Sequence, residues 1–184
     1  DNSLIITYYG ETDNDTVCNI TNHSYFNLNG HDSGDIFKHK LKINSSRISS
    51  FDSKYFPLGT TDKVEGTCFD FTSEKEIGKD FFTDNEILKT CGGFDINYCI
   101  EDELCAVLSG NDIKMEVYTD KPGVQLYTSN YVDDKGKNGY YYGKHSAVCL
   151  ETQFYPNAIN NPEFPSPILR KGEIYSFKTI YKFI

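Results

Sequence analysis

The chain has no tryptophan in its 184 residues, so its aromatic content rests on 14 Tyr and 13 Phe. No apolar run approaches the ~20 residues of a membrane-spanning helix, and no membrane partner is expected. Positive charge is scarce: 18 Lys and Arg stand against 27 Asp and Glu, giving a formal net charge of −9. Nucleic-acid binding needs clustered Lys and Arg to neutralise phosphates, and this balance argues against it. Cys18, Cys68, Cys91, Cys99, Cys105 and Cys149 form no C-x-x-C pair and show no metal-ligand spacing, so neither a metal nor a cofactor is expected. A Gly-rich phosphate loop, a G-x-S-x-G elbow and a nucleotide fingerprint are all missing.

An even number of cysteines permits disulfides, but no secretory signal is visible and a chain of this size does not need staples. Asn14, Asn19, Asn22 and Asn44 each open an N-x-Ser/Thr sequon. A glycan on Asn22 would crowd His23. Both points predict a reducing, cytoplasmic setting.

What is present reads as strand after strand. Tyr and Phe favour pleated, half-buried surfaces. Strand character recurs at 4–9, 16–20, 38–43, 94–100, 104–109, 113–119, 123–128, 147–153 and 174–184. In 38–43, lysines alternate with His39, Leu41 and Ile43, the period of a half-buried strand. Residues 51–59 read as an extended stretch or edge, with Pro57 near its close. Gly110-Asn111-Asp112 marks a hairpin between two strands. Ser73-Glu74-Lys75-Glu76 has the form of a capping box, predicting one short helix within 74–89 that Gly92-Gly93 ends. With no repeat and no linker, the chain predicts a single all-β domain over 1–184, a large antiparallel β-sandwich with one short helix at most.

Four polar groups stand out at strand ends and turns. His23 lies among small hydrogen-bonding residues, where an imidazole serves either structure or proton transfer. Its neighbours Asn22 and Ser24 are placed to orient its ring. Glu151 sits in an otherwise apolar strand, either facing outward or placed for chemistry. Asp95 follows two glycines and either caps a turn or serves a site, while Gln125 reads first as a strand surface residue. His31, His39 and His145 lie in charged stretches and read as solvated.

Together the segments 21–30 (T-N-H-S-Y-F-N-L-N-G), 92–98 (G-G-F-D-I-N-Y), 121–130 (K-P-G-V-Q-L-Y-T-S-N) and 150–162 (L-E-T-Q-F-Y-P-N-A-I-N-N-P) resemble the aldose 1-epimerase family, also called galactose mutarotases. The resemblance implies a β-sandwich with a sugar in an open cleft across one sheet. It implies Glu151 as general base on the anomeric hydroxyl and His23 as general acid on the ring oxygen. Asp95, Gln125 and Asn22 become substrate-binding residues, and a free hexose such as galactose or glucose becomes the partner. The first motif is more similar to the free-sugar enzymes than to hexose-6-phosphate 1-epimerases. A mutarotase-like carbohydrate-binding domain with impaired catalysis is the other reading.

Two departures accompany the resemblance. Ile96 stands where the family commonly has histidine, removing a polar group expected close to the site. The match also covers about the C-terminal half of such an enzyme, whose further substrate-binding histidine and arginine lie upstream. The chain therefore reads as a fragment or minimal form, a monomer or weak homodimer whose strand edges invite a partner.

Overall fold

The computed structural model of the protein describes residues 2–184. Its frame is two antiparallel sheets sharing one core. The six-stranded sheet runs in space as β1 (Ser3–Gly10), β15 (Tyr175–Phe183), β9 (Lys114–Thr119), β8 (Leu104–Ser109), β3 (Lys40–Ile43) and β6 (Lys75–Glu76). The five-stranded sheet runs as β13 (Cys149–Gln153), β10 (Gly123–Tyr127), β7 (Asp95–Cys99), β4 (Arg47–Phe51) and β5 (Pro57–Lys63). Two ribbons complete it: β2 (Thr16–Val17) with β14 (Ile168–Leu169), and β11 (Asp134–Lys135) with β12 (Tyr141–Tyr142). The expected antiparallel all-β sandwich is the architecture observed. Among the described residues no helix is long and apolar enough to cross a membrane.

Strand alternation builds the core. Ile96 and Tyr98 of β7, Val124 and Leu126 of β10 and Leu150 of β13 point inward from one sheet. Leu41, Ile43, Ala106, Leu108, Met115, Val117 and Tyr181 meet them from the other. Each fully buried aliphatic of this kind contributes about 1.5–3 kcal/mol. Two polar bonds also tie the sheets: Tyr181 OH donates to Leu150 O at 2.9 Å, and the Thr152 and Thr179 hydroxyls meet at 2.6 Å. Ile96 is fully buried in this core. Its departure from the family pattern therefore lies on the opposite face from Asp95, where an apolar side chain packs well.

Several local expectations need correction. The segment 73–76 makes no side-chain cap: Lys75 and Glu76 pair with β3 as a strand, and only a three-residue 3-10 helix (Ile77–Lys79) follows. The single α-helix among the described residues, α1 (Glu86–Cys91), lies later. Asn85 caps it, its side-chain oxygen accepting from Ile87 N and Leu88 N at 2.9 and 3.2 Å. An Asn in extended conformation offers its oxygen to the free amides of the first turn, which the 73–76 segment never presents. Gly92 ends the helix with φ 67°, a left-handed cap that glycine adopts without strain.

The strand expected over 16–20 is only Thr16–Val17, and the chain then runs irregularly to His23. The solvated reading fails for His39, which is fully buried, with Nε2 accepting from Leu28 N at 3.0 Å. Burial lowers its pKa, holding it as a neutral acceptor. His145 is half-buried against the Phe37 and Phe81 rings, and burial lowers its pKa too. His31 is partly buried and bonds Tyr142 OH at 2.9 Å.

Candidate active site

In the five-stranded sheet, β10 lies between β7 and β13 in a register that sets Gln125 beside both Asn97 and Glu151. Tyr127 pairs with Asp95 on one side and Cys149 on the other, and Gly123 with Cys99 and Gln153. Because side chains alternate, Asp95, Asn97, Gln125, Tyr127, Cys149, Glu151 and Gln153 share the face turned away from the core. That face floors a cleft of about 410 Å³, lined by His23, Tyr25, Asp95, Gln125, Tyr127, Tyr131, Glu151, Gln153 and Pro156.

His23 comes to this cleft on coil, and polar ties hold it there. Asn19 mimics a strand partner: its Nδ2 donates to Phe154 O at 3.2 Å, and its Oδ1 accepts from Phe154 N at 2.9 Å. Ile20 N donates to Tyr175 OH at 3.2 Å, and the buried Lys121 ammonium donates to Ile20 O. On the other side, Phe26 and Val148 exchange two backbone bonds of 2.8 Å. The His23 segment is thus stitched to residues three before and three after Glu151. The result is a 3.3 Å separation between His23 Nε2 and Glu151 Oε1. The imidazole stacks on Tyr25 (centroids 5.0 Å apart) and meets the Tyr127 ring edge-on at 5.8 Å.

The floor is a connected hydrogen-bond network. Gln125 Nε2 donates to Asp95 Oδ1 at 2.6 Å and to Tyr55 OH at 3.2 Å. Its Oε1 accepts from Gln153 Nε2 at 3.2 Å, and Asn97 Nδ2 donates to Ser49 Oγ at 2.9 Å. Gln125 is therefore buried and tied into this network rather than a surface residue, with Oε1 accepting one bond.

Electrostatics follow from this burial. The Glu151 carboxyl is pushed up to about 6, first by desolvation and further by the Asp95 charge, while His23 draws it down. Burial also raises Asp95, opposed by its bonds to Gln125 and Tyr55 and by His23. Two carboxyl groups and an imidazole thus meet in one cleft, with no Lys or Arg among its lining residues.

Of the five residues singled out from sequence, His23, Glu151, Asp95 and Gln125 line the cleft. Asn22 does not: its Oδ1 accepts from Ser24 N at 3.1 Å and shapes the turn that carries His23. His31, His39 and His145 also lie outside it. Gln153, Tyr127 and Asn19 went unrecognised from sequence. The spacing Glu151-x-Gln153 already places Gln153 on the Glu151 face, whereas Asn19 carries no signal before its partner is known. A larger hollow of about 960 Å³, walled by Phe26, Leu28, Ile113 and Phe183 among others, shares only Tyr25 and Tyr131 with the cleft.

Fold and cleft together define a β-sandwich with an imidazole and a carboxylate 3.3 Å apart on the open face of one sheet. Residues 1–182 match the family model for aldose 1-epimerase, and the chain belongs to that family. It is 41% identical over 188 residues to the galactose mutarotase of Rattus norvegicus, covering 98% of this chain and 54% of that protein. It is 34% identical over 194 residues to the aldose 1-epimerase of Escherichia coli K12, covering 100% and 56%. Among solved structures, an aldose epimerase homologue from C. elegans superposes with TM-score 0.87 at 29% identity, covering 100% of this chain and 56% of that one. Galactose 1-epimerase from Lactobacillus acidophilus gives 0.86 at 25% identity, covering 100% and 53%. The chain spans about half the length of the curated relatives it matches.

Proposed function

We propose that this chain carries the acid–base pair of an aldose 1-epimerase and interconverts the α and β anomers of free hexoses. The observation that carries the reading is the His23–Glu151 pair, 3.3 Å apart in a polar cleft. Opening a cyclic hemiacetal requires removing the proton of the anomeric hydroxyl and protonating the ring oxygen. Both oxygens are bonded to the same carbon, so base and acid must stand close together.

In this reading the ionised Glu151 takes the hydroxyl proton while protonated His23 delivers one to the ring oxygen. The C1–ring oxygen bond breaks, leaving an open-chain aldehyde. Rotation about the C1–C2 bond presents the other carbonyl face. Closure then reverses the transfers: the imidazole takes a proton from the ring hydroxyl and the carboxylic acid returns one to the carbonyl oxygen. General acid and base catalysis of this kind contributes about 10²–10⁴-fold for each group. Asp95 and Gln125 hydrogen-bond sugar hydroxyls and set the ring's position, Gln153 supports them, and Asn22 acts through the His23 turn.

A lining without Lys or Arg supports a neutral sugar over a hexose 6-phosphate. Galactose leads among neutral hexoses because relatives of that name match over nearly the whole chain. Six free cysteines support a reducing, cytoplasmic setting. We read the chain as one domain acting as a monomer or weak homodimer.

Polarimetry on freshly dissolved α-D-galactose and α-D-glucose tests the proposal. The folded chain is expected to speed the approach to equilibrium rotation. A rate equal to that of buffer overturns it. Sugar binding by calorimetry that depends on Asp95 and Gln125, without mutarotation, identifies a binding module instead.

A further inference from the structure

Cys149 lies two residues before Glu151 on β13 and therefore on the same face of the sheet. A ring nitrogen of His23, the Cys149 sulfur and a Glu151 oxygen all lie within 4.8 Å of one another. A tetrahedral Zn²⁺ takes sulfur at about 2.3 Å and nitrogen or oxygen at about 2.0–2.2 Å. Its ligand atoms then stand about 3.3–3.8 Å apart, so binding draws the three groups together, with the half-exposed His23 ring the freest to move. No metal motif shows in the sequence because the ligands come from two distant segments that only the stitched His23 coil brings together.

We propose that His23, Cys149 and Glu151 form a binding site for a borderline-soft divalent cation of the zinc or cadmium type. Occupancy blocks the acid–base pair, so the cation is an inhibitor competing with the sugar. The inhibitory part rests on the function proposed above. The ligand set is a thiolate, an imidazole and a carboxylate, which favours zinc and cadmium over the hard, oxygen-seeking Mg²⁺ and Ca²⁺. His23, half-exposed, and Glu151 line the cleft, while Cys149 is fully buried beneath them, so a cation enters from the cleft past the imidazole and the carboxylate to reach the sulfur. Burial pushes the Cys149 thiol up, so the cation must displace its proton, and the nearby Glu151 and Asp95 carboxylates add attraction for a positive charge. Binding displaces the thiol proton to solvent and involves no change of oxidation state.

Cadmium is the direct probe, because a cadmium–thiolate bond has an ultraviolet charge-transfer band that cadmium on nitrogen or oxygen lacks. Titrating the chain with Cd²⁺ is expected to raise this band to saturation at one equivalent. Cys149→Ser is expected to remove it, and Glu151→Gln and His23→Gln to weaken binding about tenfold or more. In polarimetry, Zn²⁺ is expected to slow the chain and a chelator to restore it, while Zn²⁺ leaves Cys149→Ser at that variant's own metal-free rate. A band that survives Cys149→Ser, and so belongs to the other cysteines, overturns the proposal. So does unchanged cadmium affinity in both Glu151→Gln and His23→Gln, which decides the matter if Cys149→Ser does not fold. A chain that shows the band but no mutarotation refutes only the enzymatic reading. A chain that mutarotates without the band refutes only the metal site.

Discussion

His23 Nε2 stands 3.3 Å from Glu151 Oε1, although one lies on coil early in the chain and the other on the edge strand β13. The contact joins the exposed edge of the cleft to its buried floor. Its consequences can be measured in rate, in pH dependence and in stability.

Glu151→Gln is expected to lower the mutarotation rate by about 10²–10⁴-fold, because an amide accepts no proton. The same change is expected to stabilise the fold above neutrality. The folded carboxyl titrates at about 6 against an ordinary 4.5, so the folded chain holds this proton more tightly than the unfolded one. That advantage is complete below about pH 4.5 and is lost as pH rises through about 6. Above it, the buried carboxylate costs on the order of 2 kcal/mol. Urea denaturation should show Glu151→Gln more stable by about 1–2 kcal/mol at pH 8, with the difference vanishing toward pH 4. A variant equally destabilised at both pH values contradicts this.

The acid limb of kcat/KM is expected to have its midpoint near the Glu151 value of about 6, with activity falling about tenfold per pH unit below it. The Asp95 charge helps hold that value up. Asp95→Asn should therefore move the limb to lower pH while raising KM for the sugar. A limb that stays in place assigns it to another group.

Asn19→Ala removes both bonds to the Phe154 backbone and leaves two part-buried backbone groups without partners. The cost to folding is about 1–3 kcal/mol. Because the tie positions His23, kcat should fall more than KM rises. Asn19→Asp keeps the acceptor and should recover part of the rate. A purely structural role would move stability and leave kcat per folded molecule unchanged.

Gln125→Leu strips Asp95 of its 2.6 Å donor and breaks the floor network. Asp95 loses a bond that favours its charged form, so its pKa rises further. The expected outcome is a KM at least several-fold higher, read by polarimetry across sugar concentrations, with a smaller change in kcat.

Gly93 precedes the Asp95 strand at φ 148°, and a Cβ there would come within 2.3 Å of Asn130 Oδ1 and 2.8 Å of the Phe81 ring. Gly93→Ala is expected to cost about 2–3 kcal/mol in denaturant unfolding, since both neighbours are packed. Gly66→Ala, at φ 73° with open space around it, isolates the backbone cost and should lose less.

Much of this protein was written in local order. Alternation within 94–100 and 113–119, and short apolar runs bounded by turn residues at 104–109, 123–128 and 147–153, marked the strands, in which a two-residue period sorts side chains to opposite faces without knowledge of the partner strand. The same alternation placed Glu151 and Gln153 on one face, and the motifs around His23, Asp95, Gln125 and Glu151 marked the residues that line the cleft. The chain alone did not disclose which histidines are buried or that Asn85, rather than the 73–76 segment, caps the helix. It also did not disclose that Asn19 closes the site or that Cys149 comes within reach of His23. Apart from the local Asn85 cap, those outcomes depend on contacts between segments far apart in sequence, such as Asn19 with Phe154 and Phe26 with Val148. A side chain's local sequence sets what it is able to bond. Only the packing of the two sheets decides which partner arrives, and how much water remains to compete.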